Sequence, residues 1–187
     1  MIILASSSPR RREILGKFFD IKVYPSEIDE RSNARSPKER ALDLARKKAL
    51  AVHSRFPNDT IVAADTIVVL DGEVLGKPKS EREARVMLEK LSGKVHSVIT
   101  GYCIIHNGKV VGGVEETKVK FRNLSEDLIE WYLSTEEWKD KAGSYGIQGY
   151  ASIFVEWIQG DYYNVVGLPI KVVVELIKLG FKPRPKR

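Results

Sequence analysis

Two predicted hairpins with long flanking strands constrain the fold of this chain more than any other feature of its sequence. Asn107-Gly108 separates two apolar-rich segments, 97–106 and 109–121. Asp71-Gly72 follows the β-branched run 60–70 and turns the chain back on itself. Asn-Gly and Asp-Gly favour two-residue turns between antiparallel strands. The sequence therefore predicts antiparallel strand pairs.

Capping signals place helices between these hairpins. Ser36-Pro37-Lys38-Glu39 and Ser80-Glu81-Arg82-Glu83 are capping boxes, in which serine and glutamate satisfy the first backbone N–H groups of a helix. The other expected elements are helices after Ser8-Pro9, from Ser125 and over 170–179, and strands at 2–4, 21–24, near 153–158 and near 163–166. Helices interleaved with hairpins indicate an α/β fold with a mixed, largely antiparallel sheet flanked by helices.

Length and charge predict one domain with a basic tail. The 187 residues, 43% of them hydrophobic, can bury one sizeable core, and we expect a single bilobal domain over 1–181. The net charge is +6, but four positive charges lie in the proline-containing segment 182–187, which leaves +2 for the rest. We expect this tail to be a frayed, solubilising end. The nearly balanced charge of residues 1–181 argues against nucleic-acid binding.

Cysteine, histidine and hydropathy patterns exclude several classes of protein. Cys103 is the only cysteine and lies in an apolar run, so we expect a packed side chain rather than a disulfide or a nucleophile. The three histidines show no metal-binding spacing. No apolar stretch is long enough to span a membrane, and no basic flank of a signal peptide precedes the first strand. A cytoplasmic protein is expected.

The first residues carry a candidate phosphate site. Ser6-Ser7-Ser8-Pro9 follows a short apolar run and precedes three arginines, Arg10 to Arg12. Ser8 is a natural N-cap and Pro9 suits the first helical position. Hydroxyls, backbone N–H groups and guanidinium groups would then converge on one anion at a helix N-terminus. The alternative is a capped surface helix with solvated arginines.

Asp65 is the most specific single candidate for a functional residue, because it interrupts the apolar run 61–70. A buried carboxylate costs several kcal/mol unless a cation, a metal or hydrogen-bond donors compensate it. The alternative is an aspartate that faces outward or lies at the end of the strand, because edge strands carry charges on their solvent-exposed face. Glu30 and Asp65 together could hold a hard divalent cation such as Mg²⁺. Lys48 and Lys77 could neutralise phosphate, although a lysine in such a position is more often only solvated.

A glycine-rich loop, 141–149, contains Gln148. Glycines let the backbone approach a ligand closely, and the Gln148 amide offers both a donor and an acceptor to one edge of a base. The alternative is an ordinary turn, which is what a glycine-rich segment between secondary-structure elements usually forms.

Five blocks together resemble the Maf family of nucleoside triphosphate pyrophosphatases. They are Ala5-Ser6-Ser7-Ser8-Pro9-Arg10-Arg11, Ala64-Asp65-Thr66-Ile67-Val68, Gly76-Lys77-Pro78, Leu91-Ser92-Gly93 and Lys141-Ala142-Gly143-Ser144-Tyr145-Gly146-Ile147-Gln148-Gly149. They occur in family order from residue 1 to about residue 170. The resemblance implies a mixed α/β fold with a deep cleft, shared with the inosine triphosphatase group.

The resemblance also implies a role for each candidate residue. The aspartate matching Asp65 is the general base. The phosphate and metal site is lined by the residues that match Ser6, Arg10, Arg11, Glu30, Lys48 and Lys77. Positions Arg10, Thr66 and Gln148 correspond to specificity positions, and their blocks are similar to the branch that acts on dTTP and UTP.

These residues lead to one main expectation and two alternatives. The main expectation is a nucleotide pyrophosphatase that hydrolyses dTTP and UTP, with modified pyrimidine nucleotides as further candidates, using Mg²⁺, Mn²⁺ or Co²⁺ held by Glu30 and Asp65. The alternatives are a basic nucleic-acid-binding module and a cell-division regulator that acts through a protein partner. The sequence is compatible with a homodimer.

Overall fold

The computed structural model describes residues 1–185, which form a seven-stranded sheet and six α-helices. The strands are β1 (Ile2–Leu4), β2 (Ile21–Val23), β3 (Thr60–Leu70), β4 (Glu73–Leu75), β5 (Val95–His106), β6 (Lys109–Phe121) and β7 (Val155–Gln159). The helices are α1 (Pro9–Phe18), α2 (Pro37–His53), α3 (Glu81–Leu91), α4 (Glu126–Ser134), α5 (Tyr162–Val166) and α6 (Ile170–Lys178). Two short 3₁₀ helices cover Ala142–Ser144 and Tyr150–Phe154.

The sheet is mixed, as the sequence predicts. Its order is β2-β1-β3-β5-β6-β7, and β4 pairs with β3. β1 runs parallel to both β2 and β3, with Ile2 opposite Ile21 and Thr60. β4 is antiparallel to β3, and β7 is antiparallel to β6. The expected α/β class is therefore confirmed.

Both predicted two-residue turns are present. Asp71 and Gly72 have φ values of 49° and 79°, and Asn107 and Gly108 have φ values of 48° and 74°. Positive φ at both central residues is typical of the turn that matches the twist of antiparallel strands. Aspartate and asparagine tolerate this conformation better than other residues with a side chain.

The predicted serine caps are also confirmed. The Ser8, Ser36 and Ser80 hydroxyls accept the backbone N–H groups of Arg11, Glu39 and Glu83. These bonds satisfy donors that have no partner inside the helix. The cap at Ser8 matters most for function, because it fixes the helix start next to Ser6, Arg10 and Arg11.

The chain forms two compact units. The first comprises Met1–Asp65, Thr100–Glu115 and residues 167–185, and the second comprises Thr66–Ile99 and Glu116–Val166. Alanine, valine and isoleucine side chains from β1, α2, β3 and β5 and their ends form the core of the first unit, and the buried Cys103 belongs to this cluster, as predicted. Aromatic rings hold the second unit: the Phe121 ring lies 4.8 Å from the Tyr145 ring and 5.8 Å from the Phe154 ring.

The predicted strand near 163–166 is wrong, because Tyr162–Val166 is the short helix α5. Its aromatic and β-branched residues resemble a strand, but hydrogen bonds fix the helix. The Asp161 carboxylate accepts the Tyr163 backbone N–H at 2.8 Å. The buried Asn164 donates from Nδ2 to the Val98 carbonyl at 3.1 Å and to Thr117 Oγ1 at 3.0 Å.

Part of the basic tail is docked rather than frayed. The Arg184 backbone N–H donates to the Phe18 carbonyl at 2.7 Å, and its guanidinium donates to the Phe19 carbonyl at 3.0 Å. The same guanidinium pairs with Asp20 at 2.6 Å. A cation at this position satisfies carbonyls at the C-terminal end of α1. Lys186 and Arg187 lie outside the described residues.

Within residues 1–185, no helix combines the length and the apolar character needed to cross a membrane.

Candidate active site

The junction of β1 and α1 places Ser6 and Arg11 together in the first unit. The buried Ser6 hydroxyl accepts the Ser8 backbone N–H at 3.1 Å and receives the Arg11 Nη1 at 3.2 Å. The strand delivers the serine, and the Ser8 cap sets where the helix and its arginines begin. Within the candidate phosphate site, Ser6 and Arg11 are therefore held in place by hydrogen bonds, whereas Arg12 is exposed.

The Gly167 carbonyl fixes Arg11 from the other side. Arg11 Nε donates to this carbonyl at 2.8 Å, across 156 sequence positions. Gly167 has a φ of 140°, a conformation that glycine adopts far more readily than other residues. Burial lowers the pKa of the Arg11 guanidinium, and the Asp65 and Glu30 carboxylates oppose that shift. Nothing in the sequence indicates this role of Gly167, because a backbone carbonyl acting at this separation leaves no local signal.

The Asp65 carboxylate and the Lys48 ammonium form a buried ion pair. Lys48 Nζ lies 3.0 Å from Asp65 Oδ1, and the two side chains are only 11% and 12% exposed. Lys48 also donates to the Ala64 carbonyl at 3.4 Å. Asp65 is buried in the middle of β3 and Lys48 is buried beside it, so neither the outward-facing or strand-end alternative for Asp65 nor the solvated alternative for Lys48 holds. A buried carboxylate needs such a cation.

Glu30 completes this acidic and basic group. Its Oε1 lies 3.3 Å from Lys48 Nζ, and its side chain is 61% exposed. Arg10 is half-buried and lies near enough to Arg11 to lower the pKa of that guanidinium further. The first unit thus brings together six predicted site residues: Ser6, Arg10, Arg11, Glu30, Lys48 and Asp65.

One oxygen of Asp65 bears on metal binding. Asp65 Oδ2 is buried and has no hydrogen-bond partner among residues 1–185. The same part of the chain contains no group of three or more His, Cys, Asp or Glu side chains that could hold a metal ion. Two converging carboxylates and an unpartnered oxygen suit a hard cation such as Mg²⁺, which takes its other ligands from phosphate and water.

The second unit contains the three other predicted residues. Thr66 follows Asp65 in β3 and is half-buried, whereas Lys77 and Gln148 are exposed. The segments that carry Lys77 and Gln148 are joined, because the Gly143 N–H donates to the Gly76 carbonyl at 3.1 Å. Gly143 has a φ of 70°, and a Cβ there would lie 3.0 Å from a Val68 methyl group. The lysine turn and the glutamine loop therefore belong to one ordered part of this unit.

These features define a class of protein: an α/β protein in which a buried carboxylate pairs with a lysine inside one helix and lies near an arginine that is held at the start of another. The family model described as Maf-like protein matches residues 1–179. A protein of Pyrococcus horikoshii named dTTP/UTP pyrophosphatase is 72% identical, covering 98% of this chain and 99% of its own length. Proteins of the same name from Pyrococcus furiosus and Fusobacterium nucleatum are 63% and 49% identical, each over 97% of this chain and 96% of their own.

The chain therefore belongs to the family of Maf-like proteins. The resemblance that the five sequence blocks indicate is confirmed.

Proposed function

We propose that this protein hydrolyses dTTP and UTP at the α–β phosphoanhydride, which releases the nucleoside monophosphate and pyrophosphate. Modified pyrimidine triphosphates are further candidate substrates. The observation that carries the proposal is the Asp65 carboxylate: Lys48 fixes Oδ1, and Oδ2 is buried without a partner among residues 1–185. The names of the similar proteins, dTTP/UTP pyrophosphatase, support the same reaction.

Asp65 Oδ2 is the oxygen that we assign as the general base. A water molecule that donates a hydrogen bond to Oδ2 would lose its proton there as its oxygen bonds to the α-phosphorus. The bond from the α-phosphorus to the α–β bridging oxygen then breaks, and pyrophosphate leaves. Lys48 holds the carboxylate in one orientation throughout.

Fixed cations stabilise the charge that develops on the leaving group. Arg11 is already held by Gly167 and Ser6, so it needs little reorganisation when a phosphate binds. We assign Ser6, Arg10, Arg11, Lys48 and Lys77 to the binding of the triphosphate. A divalent cation held by Glu30 and Asp65 would supply further neutralisation of the phosphate charge. Mg²⁺, Mn²⁺ and Co²⁺ are the candidates.

Recognition of the base is assigned to Gln148, with Thr66 and Arg10 as the other specificity positions. The Gln148 amide can donate to O4 and accept from N3–H of uracil or thymine. Cytosine reverses this pattern, because its N4 donates and its N3 accepts. An amide held in the first orientation therefore favours UTP and dTTP over CTP.

The reaction is tested by a nucleotide panel that scores pyrophosphate and orthophosphate separately. We expect pyrophosphate as the first product, with UTP and dTTP the best substrates among UTP, dTTP, CTP, GTP and ATP. Each nucleotide is assayed with Mg²⁺, Mn²⁺ and Co²⁺ and with a chelator. Orthophosphate as the first product would overturn the pyrophosphatase assignment, and full activity in chelator would overturn the metal assignment.

Replacing Gln148 with alanine tests whether this side chain recognises the nucleotide base. We expect the ratio of kcat/KM for UTP to that for CTP to fall by about tenfold or more, because a hydrogen bond that fits only one base is lost. Gln159→Ala is the matched control, since Gln159 is an exposed glutamine in β7. An unchanged ratio in Gln148→Ala would remove Gln148 from this role.

A further inference from the structure

The loop that contains Gln148 is anchored to the second unit by buried side chains. Gly143, Ser144, Tyr145 and Ile147 are buried, whereas Gln148 is exposed. The backbone of an exposed residue is held in place when its neighbours are buried, even where the end of its own side chain lies in solvent. The anchors on either side of Gln148 therefore determine where the amide is presented.

The first anchor is a hydrogen bond between His96 and Tyr145. His96 Nε2 lies 2.6 Å from the Tyr145 hydroxyl, and the two residues are 2% and 6% exposed. The hydroxyl is the only hydrogen-bond partner of the imidazole among residues 1–185, because His96 Nδ1 has none. The Phe121 ring packs against both, with centroids 4.9 Å from His96 and 4.8 Å from Tyr145.

This anchor consists of neutral groups at physiological pH. Burial lowers the pKa of His96 to about 4 and raises the pKa of Tyr145. A neutral imidazole and a neutral phenol can share one proton in a hydrogen bond without burying a charge. The contact therefore serves to hold the loop in place and is not itself suited to acid–base exchange with solvent.

The second anchor is the Glu137 carboxylate. It accepts the backbone N–H of Tyr150 at 2.9 Å and that of Ala151 at 3.2 Å. A Cβ at Gly149 would overlap this carboxylate, so the side chain of Glu137 lies directly against the backbone that follows Gln148. Tyr132 adds a bond on the other side, because its hydroxyl donates to the Ser144 carbonyl at 2.7 Å.

We propose that His96 and Tyr145 are positioning residues for base selection, because their buried hydrogen bond holds the loop 141–149 and thereby presents Gln148. The proposal rests on the proposed function for its substrate. Glu137 secures the far end of the same loop. Neither His96 nor Tyr145 needs to touch the nucleotide, so their effect acts through Gln148.

The test uses Tyr145→Phe, which keeps the ring against Phe121 and removes only the hydroxyl. We expect the UTP/CTP ratio of kcat/KM to fall by about fivefold or more, while kcat for UTP stays within about twofold. Hydrogen exchange of the amides at 146–149 should accelerate by about tenfold or more. Tyr102→Phe is the matched control, since Tyr102 is a buried tyrosine of the first unit, and it should leave both measurements unchanged.

A double variant separates positioning from general destabilisation. In the Gln148→Ala background, Tyr145→Phe should produce no further fall in the UTP/CTP ratio, because both changes act on the same contact. A further fall of fivefold in that background, or unchanged amide exchange in Tyr145→Phe, would overturn the proposal. If Gln148→Ala alone leaves the ratio unchanged, the assignment of Gln148 to base recognition in the proposed function is wrong. The hydrogen-exchange measurement still decides whether the His96–Tyr145 hydrogen bond holds the loop.

Discussion

Replacing Asp65 with asparagine is expected to lower kcat by about 10²–10⁴-fold, the range that general acid–base catalysis contributes. The amide is nearly isosteric with the carboxylate but cannot take a proton from water. Lys48 keeps Glu30 as an acidic partner, so the fold should survive the change. Pyrophosphate release measures the loss, and circular dichroism shows that the protein remains folded.

Asp20→Asn is the control for this experiment, because Asp20 is an exposed carboxylate of the same unit. Its kcat should stay within about twofold of the original. Activity of Asp65→Asn within tenfold of the original would contradict the assignment of Asp65 as the base.

Replacing Lys48 with methionine should destabilise the protein by about 3–5 kcal/mol, the usual cost of leaving a buried charge without its partner. Methionine fills most of the volume of the lysine stem, so the loss comes from the unpaired Asp65 carboxylate. Denaturant unfolding measures the change in the free energy of unfolding. The Lys48→Met variant should also be inactive, because the carboxylate is no longer oriented.

Lys47→Met is the matched control, one residue away in α2. Lys47 pairs with Asp43 at 2.9 Å, but the two side chains are 45% and 37% exposed. Exposed pairs contribute about 0–1 kcal/mol, so this variant should be nearly as stable as the original. Adding Asp65→Asn to Lys48→Met should recover part of the lost stability, because the buried charge is removed. Equal destabilisation by Lys47→Met and Lys48→Met would contradict the prediction that the Lys48–Asp65 pair contributes as a buried ion pair.

The local parts of this fold are predictable from sequence because their causes are local. The Ser8 cap and the two turns at Asp71-Gly72 and Asn107-Gly108 depend on residues within three or four positions of each other. The helix α5 is the counterexample. Its residues favour a strand, and the hydrogen bonds of Asn164 that fix it reach residues 66 and 47 positions away.

The candidate site divides in the same way. Asp65 is visible in sequence, because a charge inside an apolar strand is unusual and needs a partner. The sequence does not show that Lys48 is the partner of Asp65, because the helix pattern places Lys48 only beside an apolar face. Which lysine reaches the carboxylate depends on how α2 packs on β3. Other contributions depend on tertiary contacts alone, and no spacing in the sequence predicts those contacts. They come from Gly167, His96 and Tyr145.

Cys103 gives the first unit a chemical marker of its own integrity. The thiol is fully buried, and burial raises its pKa to about 11, so it is both shielded and protonated at neutral pH. Thiol reagents act on the exposed thiolate, which the closed core does not offer. Because the chain has one cysteine, modification at this position reports a single event, the opening of the core around β5. The rate of labelling thus follows the local stability of the unit that contains Asp65.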